Sequence, residues 1–113
     1  MILITKEIAK RFQKQGDTSE KDSHEIKVLC KLFNPVGAET WYLYEKLDDG
    51  GTDERYMAFV NLGDSQMAEL GAVSLTELKS LRLPMGLSIE RDRSFEPQLL
   101  SEIMEIVKSG GHV

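Results

Sequence analysis

The sequence predicts an α+β domain in which an antiparallel β-meander of four or five strands packs against N-terminal, middle and C-terminal helices. Three observations favour this fold class. Apolar residues recur at helical spacing near both ends of the chain, they alternate with polar residues through its middle, and the segments between the alternating stretches are short. Short connections favour antiparallel strands, because parallel neighbours need a crossover of roughly a dozen residues.

Signals for helix ends define three helical segments. Thr5 can cap the first helix, and Ser74 with Glu77 matches the capping box of the second. Pro84 limits the second helix, because a proline disfavours the helical conformation in the residue before it, and Pro97 can open the third. The predicted helices span residues 5–15, 74–83 and 97–109.

A two-residue alternation of apolar and polar residues predicts a strand at residues 25–32, and residues 40–47 predict another because they are rich in β-forming residues. Further strands are predicted at residues 55–62, 67–73 and 87–93. The alternation places four side chains of the first strand on one buried face: Ile26, Val28, Cys30 and Leu32. In the second strand, Trp41 and Leu43 share one face, while Tyr42 and Tyr44 share the other. The acidic and glycine residues at positions 48–54 predict a hairpin loop.

Length, charge and cysteine content restrict the class of protein. The 113 residues fit one domain, which we place at residues 1–109, and residues 110–113 are expected to form a flexible tail. A net charge of −5 argues against a protein that coats nucleic acid. No apolar run is long enough to cross a bilayer, and a single cysteine excludes an internal disulfide. We therefore expect a cytoplasmic protein with no membrane partner and no cofactor.

Cys30 and the histidines do not predict a catalytic centre. A nucleophilic cysteine needs a thiolate and a base within hydrogen-bonding reach. Cys30 falls at an inward position of an alternating strand, where cysteine behaves as a small apolar residue. His24 precedes it by about 20 Å of extended chain, and His112 lies in the tail. The sequence therefore assigns no catalytic residue and no metal ligand.

The segment Glu90-Arg91-Asp92-Arg93 is the most informative polar cluster. In a strand, Glu90 and Asp92 point to one face, and Arg91 and Arg93 point to the other. Two carboxylates on one face repel each other unless a cation shares their site, so a structural network of ion pairs is the favoured interpretation. A binding surface is the second interpretation. A metal-assisted hydrolase that uses Glu90 and Asp92 is the third.

The aromatic residues Trp41, Tyr42 and Tyr44 suggest a second kind of binding site. On an open sheet face they could stack the bases of a single-stranded nucleic acid. The first helix could then contact the phosphates through four basic residues: Lys6, Lys10, Arg11 and Lys14. Nearby acidic residues have the wrong sign for this role, so a core position is favoured for Trp41. These three aromatic residues and the four residues at positions 90–93 are the candidate binding residues.

Several motifs together resemble an uncharacterised bacterial family, a domain-of-unknown-function family of small proteins of about this size. The most specific motif is Pro84-Met85-Gly86-Leu87-Ser88-Ile89-Glu90-Arg91-Asp92, with Phe95 and Pro97 after it. The others are Phe33-Asn34-Pro35, Thr40-Trp41-Tyr42, Leu70-Gly71 and Ser74-Leu75-Thr76-Glu77-Leu78. The resemblance extends from Ile2 to Ser101. It implies a genomic context, since members of that family are found on plasmids, integrative elements and prophages, often beside anti-restriction or conjugation genes. It implies no activity.

These observations favour a small cytosolic accessory protein of a mobile element that acts by binding another protein. The acidic balance, the incomplete catalytic set and the resemblance support this expectation. The more specific form of this expectation is that the protein inhibits host defence, as an anti-restriction or anti-CRISPR protein, since an acidic surface can occupy a nucleic-acid channel. The alternatives are the single-stranded nucleic-acid-binding module and the metal-assisted hydrolase. A two-fold dimer through an exposed sheet edge or through the C-terminal helix is compatible with each of them.

Overall fold

Three α-helices and two antiparallel sheets form residues 1–48 and 51–113, the part of the chain that the computed structural model describes. The helices are α1 (Lys6–Gln15), α2 (Leu75–Ser80) and α3 (Leu100–Lys108). The strands are β1 (Lys27–Val28), β2 (Cys30–Phe33), β3 (Thr40–Leu47), β4 (Arg55–Asn61), β5 (Glu69–Ser74), β6 (Glu90–Arg91) and β7 (Gln98–Leu99). Short 3-10 turns occur at Ser65–Met67 and Pro84–Gly86.

The larger sheet has five strands in the order β5–β4–β3–β2–β6, and β1 pairs with β7 in a separate sheet. All neighbouring strands are antiparallel. The consecutive strands β2 to β5 form the predicted meander, and β6 pairs with the side of β2 that faces away from β3. This arrangement confirms the predicted α+β fold class. None of the described helices has both the length and the apolar character needed to cross a membrane.

Each face of the larger sheet carries its own apolar cluster. Trp41 and Leu43 of β3 pack in the first cluster with Phe12 of α1. Tyr42 and Tyr44 pack in the second cluster with apolar residues of α3. The predicted division of these β3 side chains between two faces is confirmed. The sheet therefore lies between α1 and α2 on one side and α3 on the other.

A break at Leu29 divides the strand predicted at residues 25–32. Leu29 and Cys30 are both buried in the first cluster, whereas Val28 is buried in the second. The break has a non-local cause, because Val28 pairs with Gln98 in the small sheet while the Leu29 N–H donates to the Leu43 carbonyl at 2.9 Å. The predicted common face is therefore wrong for these side chains: Ile26, Val28, Cys30 and Leu32.

Two helices are shorter than the sequence predicts. The first, α2, ends at Ser80 because the chain is extended at Leu81, and the Leu83 N–H then donates to the Leu87 carbonyl at 3.0 Å. The other, α3, begins at Leu100 because the two residues before it pair with β1. Pro97 is thus followed by a strand. Helix α1 agrees with the prediction and is capped by the Thr5 hydroxyl.

The later strands and the chain end also differ from the alternation pattern. The strand predicted at 67–73 is confirmed as β5 from Glu69 onward, while Met67 lies in the preceding 3-10 turn. In the strand predicted at 87–93, β6 alone pairs with β2. The predicted hairpin loop at 48–54 includes Asp49 and Gly50, which lie outside the described residues. Val113 packs against the second cluster, and its carbonyl accepts a hydrogen bond from the Lys31 ammonium group. The flexibility of residues 110–113 stays a prediction.

Candidate functional site

The topology brings three residues of the predicted segment at 90–93 to one cleft. This α1–β6 cleft has a volume of about 280 Å³ and lies between α1, β2 and the chain around β6. Its basic side chains come from all three of these parts of the chain: Arg11, Lys31, Arg91 and Arg93. Its acidic side chains are Glu7, Asp92 and Glu96. The cleft therefore collects cations that are far apart in the sequence.

Backbone carbonyls hold the guanidinium group of Arg91 in place. Its Nη1 donates hydrogen bonds to the carbonyls of Ile2 and Leu3, the second at 3.0 Å. The Arg91 N–H also contacts the sulfur of Met1 at 3.2 Å. Among the described residues, no carboxylate forms a salt bridge with Arg91. Its partly buried positive charge thus has neutral partners.

Asp92 does take part in an ion pair, although its partner is a lysine. Its carboxylate lies 3.5 Å from the Lys31 ammonium group and accepts a hydrogen bond from the Ser94 N–H at 2.9 Å. The Asp92 N–H donates to the Lys31 carbonyl at 2.9 Å, which continues the pairing of β6 with β2. Glu90, the other predicted carboxylate, lies opposite Phe33 in the sheet. No group of three metal-ligating side chains converges within residues 1–48 and 51–113.

Cys30 lies at the wall of the cleft, but its thiol is shielded. The side chain is buried, and the thiol lies 3.9 Å from the Leu3 carbonyl. Burial raises the pKa of the Cys30 thiol to about 12, and the nearby positive charges of Arg91 and Arg11 oppose this rise without cancelling it. His24 is exposed and contacts Asp22 at 2.6 Å instead. The thiol is therefore neutral at physiological pH and unsuited to nucleophilic chemistry.

The three aromatic candidates are buried on opposite faces of the sheet. Trp41 lies in the first cluster, and Tyr42 and Tyr44 lie in the second. The Tyr42 ring stacks on Phe59, with a centroid distance of 6.1 Å, and tilts against Phe95. Burial also raises the pKa of the Tyr42 and Tyr44 hydroxyls. Since stacking of bases needs exposed ring faces, these residues form no platform for it.

A second surface, which the sequence reasoning missed, extends from Trp41 of β3 and Val60 of β4 to residues 69–73 of the edge strand β5. This edge groove has a volume of about 440 Å³. Its lining includes three large exposed apolar residues: Leu62, Met67 and Leu70. Asp64 and Glu69 supply its charges, and neither lysine nor arginine appears among its described lining residues. A large exposed apolar patch of this kind often marks an interaction site.

The backbone of β5 presents unpaired groups along this groove. Within the described chain, β5 pairs with β4 and with no other strand. The Leu75 N–H donates to the Glu54 carbonyl at 2.7 Å, so the antiparallel alternation turns the backbone groups of Leu70 and Ala72 away from β4. The sequence order alone does not indicate this edge, because a later strand is also predicted at residues 87–93, and β5 lies at the edge since that later strand pairs with β2.

Comparison with known proteins gives a family and no more. A search of curated proteins and a search of solved structures both return no match for this chain. A family model does match, over residues 3–113, which includes the α1–β6 cleft and the edge groove. Its description is "Protein of unknown function (DUF2958)". This chain therefore belongs to the DUF2958 family of proteins of unknown function.

Proposed function

We propose that this protein acts by binding another protein, and that a segment of the partner adds as an extra strand to the edge of β5. The observation that carries the proposal is the juxtaposition of an unpaired six-residue edge with an apolar groove. In strand addition, main-chain hydrogen bonds provide affinity, and pockets for alternate side chains provide specificity. The edge of β5 supplies the main-chain hydrogen bonds, and the edge groove supplies the pockets for side chains.

Gly71 leaves space for a partner side chain. It lies opposite Ala58 in the sheet, on the face that carries the first cluster, and a Cβ added there would contact no atom within 4 Å. Trp41 and Val60 line the groove on the same face. An apolar side chain from a partner strand could therefore rest beside Gly71 without displacing this protein's own side chains.

The charges of the groove determine the kind of partner. Asp64 and Glu69 are exposed and line it, so a segment with apolar residues flanked by lysine or arginine is complementary. A second copy of this chain would bring the same acidic residues and a net charge of −5 to the contact, which disfavours self-association. The partner we propose is accordingly an extended basic segment of a different protein.

The biological setting is part of the same proposal. The resemblance described above supports a cytosolic accessory protein of a mobile element. The more specific form of this proposal is that the protein inhibits host defence. A host-defence protein that binds nucleic acid does so through a basic surface, and the acidic groove is complementary to such a surface. The single-stranded nucleic-acid-binding module stays an alternative prediction, and its three aromatic candidates, Trp41, Tyr42 and Tyr44, are buried. The metal-assisted hydrolase stays a prediction as well.

Selection of random peptides displayed on phage, with the immobilised protein as bait, tests the proposal. We expect the enriched peptides to alternate apolar and other residues and to carry lysine or arginine at their flanks. Ala72→Pro removes a backbone N–H that points away from β4, and it removes no hydrogen bond between β4 and β5. We therefore expect it to lower the affinity for the peptide at least about tenfold. Fluorescence anisotropy with the labelled peptide measures the affinity.

Matched variants separate strand addition from other modes of binding. Ala72→Val keeps the N–H and should leave affinity nearly unchanged, whereas Gly71→Val should fill the groove and weaken binding. Glu69→Gln should weaken binding, while Glu102→Gln on α3 should not. Peptide binding that Ala72→Pro and Gly71→Val both leave intact would contradict the proposal, as would a selection that enriches no peptide.

A further inference from the structure

The α1–β6 cleft has a second property that does not depend on the proposed function: its cations exceed its carboxylates. Four basic and three acidic side chains line the cleft. Two of the carboxylates are already engaged, Glu7 with Arg11 at 3.3 Å and Asp92 with Lys31 at 3.5 Å. Neither Arg91 nor Arg93 forms a salt bridge with any described residue. Arg91 and Arg93 therefore line this space without a carboxylate partner in the described part of the chain.

The position of Arg91 is fixed before any ligand arrives. One of its nitrogens already donates to the carbonyls of Ile2 and Leu3, so the guanidinium plane is oriented by the backbone. Carbonyl oxygens neutralise no charge, and a partly buried charge is costly unless an ion of opposite sign is near. An oxyanion in the cleft would supply that counter-charge with little loss of side-chain entropy from Arg91.

Apolar and neutral groups form part of the cleft wall, which strengthens electrostatic contacts. Ile8, Leu29 and Phe95 line the cleft, together with the neutral thiol of Cys30. In such surroundings a charge-assisted hydrogen bond is stronger than it is in water. The pair of Arg11 with Glu7 is exposed, so it contributes little stability and can rearrange around a ligand.

The size of the cleft limits the ligand. Its volume of about 280 Å³ lies just below the range of roughly 300–1,000 Å³ that is typical of small-molecule sites. A compact group therefore fits, whereas a nucleic-acid strand would have to lie outside the cleft. A phosphate monoester has nearly two negative charges and three strong acceptor oxygens, which suits several cations on different sides. A carboxylate has one charge and two oxygens.

We infer that the α1–β6 cleft binds the phosphate group of a small phosphorylated molecule, with Arg91 as the fixed donor and Arg11 and Arg93 as adjustable donors. Arginine suits this role because its planar fork of N–H donors matches the phosphate oxygens. Glu96 opposes the ligand, since it lines the cleft and forms no salt bridge with any described residue.

Titration with inorganic phosphate, followed by NMR of the arginine side chains and the backbone amides, tests the inference at constant ionic strength. We expect saturable shifts at Arg91 and Arg93 and a rise in melting temperature with phosphate concentration. Arg93→Gln should weaken binding about tenfold, because it removes a charge-assisted donor. Arg82→Gln, an exposed arginine outside the cleft, should leave the affinity unchanged.

Further variants and ligands distinguish a built site from general attraction to a charged surface. Glu96→Gln should tighten phosphate binding, since it removes a repelling charge. Arg91→Lys keeps the charge but loses the fork, so it should weaken binding more than Arg82→Lys does. An equal response to acetate, equal effects of Arg93→Gln and Arg82→Gln, or no saturable shift would each overturn the inference.

Discussion

The side-chain amide of Gln15 exchanges two hydrogen bonds with the backbone of Lys27. Its Nε2 donates to the Lys27 carbonyl at 2.9 Å, and the Lys27 N–H donates to its Oε1 at 2.9 Å. The same Nε2 donates to the Tyr44 carbonyl of β3 at 2.6 Å. The end of α1 thus takes the place of a strand between β1 and β3, beside the break at Leu29 that separates the two sheets.

Replacing Gln15 should destabilise the protein for this reason. In Gln15→Ala, three backbone groups lose their partner, two at Lys27 and one at Tyr44. We expect the free energy of unfolding in urea to fall by about 1–2 kcal/mol, since the exposed groups regain water. Gln13→Ala is the control, because Gln13 is exposed on the same helix. Equal losses in the two variants would show that helix propensity, and not the bridge, causes the effect.

Local patterns predict β3 and β4 well because both segments are rich in β-forming residues and pair with strands that neighbour them in the sequence, although the register of β3 and β4 shifts between Leu43 and Glu45. The division of Trp41 from Tyr42 needs no information beyond the period of two. The break at Leu29 is different, since Leu29 and Cys30 are both apolar and the pairing of Val28 with Gln98 joins distant parts of the chain. No local pattern contains that pairing.

The candidate sites depend on the same non-local geometry. The segment around Arg91 could be singled out from its charges, but Arg11 and Lys31 meet it through the placement of α1 and β2. The carbonyls that hold Arg91 belong to Ile2 and Leu3, which carry no polar side chain and therefore give no sign of this role. The edge groove depends on the exposure of Leu62 and Leu70, which an apolar residue type does not indicate from the sequence.

Met85 should be a site where substitution stabilises the protein. Its φ of 63° lies in the left-handed region, and its side chain is 85% exposed, so it is strained without gaining contacts. We expect Met85→Gly to raise the free energy of unfolding by up to about 1 kcal/mol, because glycine adopts this backbone conformation freely. Met85→Ala keeps the strain and should change little. A gain of the same size in both variants would exclude the backbone explanation.

Thr18 should be an anchor for the polar loop at residues 16–23. It is buried, and both its N–H, at 2.9 Å, and its hydroxyl, at 2.5 Å, donate to one carboxylate oxygen of Glu45. Thr18→Val removes the hydroxyl and keeps the shape, and we expect it to cost about 1.5–3 kcal/mol of unfolding free energy, as is typical for hydrogen bonds to charged groups. Hydrogen exchange of the Thr18 amide should accelerate in Glu45→Ala, which removes the accepting carboxylate. Unchanged exchange in that variant would show that the anchor lies elsewhere.

Cys30 should make stability depend on alkaline pH. Burial raises the pKa of its thiol from 9.0 to about 12 in the folded state, so above pH 9.0 the unfolded chain releases a proton that the folded chain retains. Stability from this group is therefore complete below pH 9.0 and falls as the pH rises towards 12, by at most about 1.4 kcal/mol per pH unit. Cys30→Ala lacks the thiol and should show a shallower fall, although its cavity lowers stability at every pH. Urea unfolding of both proteins on either side of pH 9.0 measures the difference, and parallel curves would contradict a buried, neutral thiol.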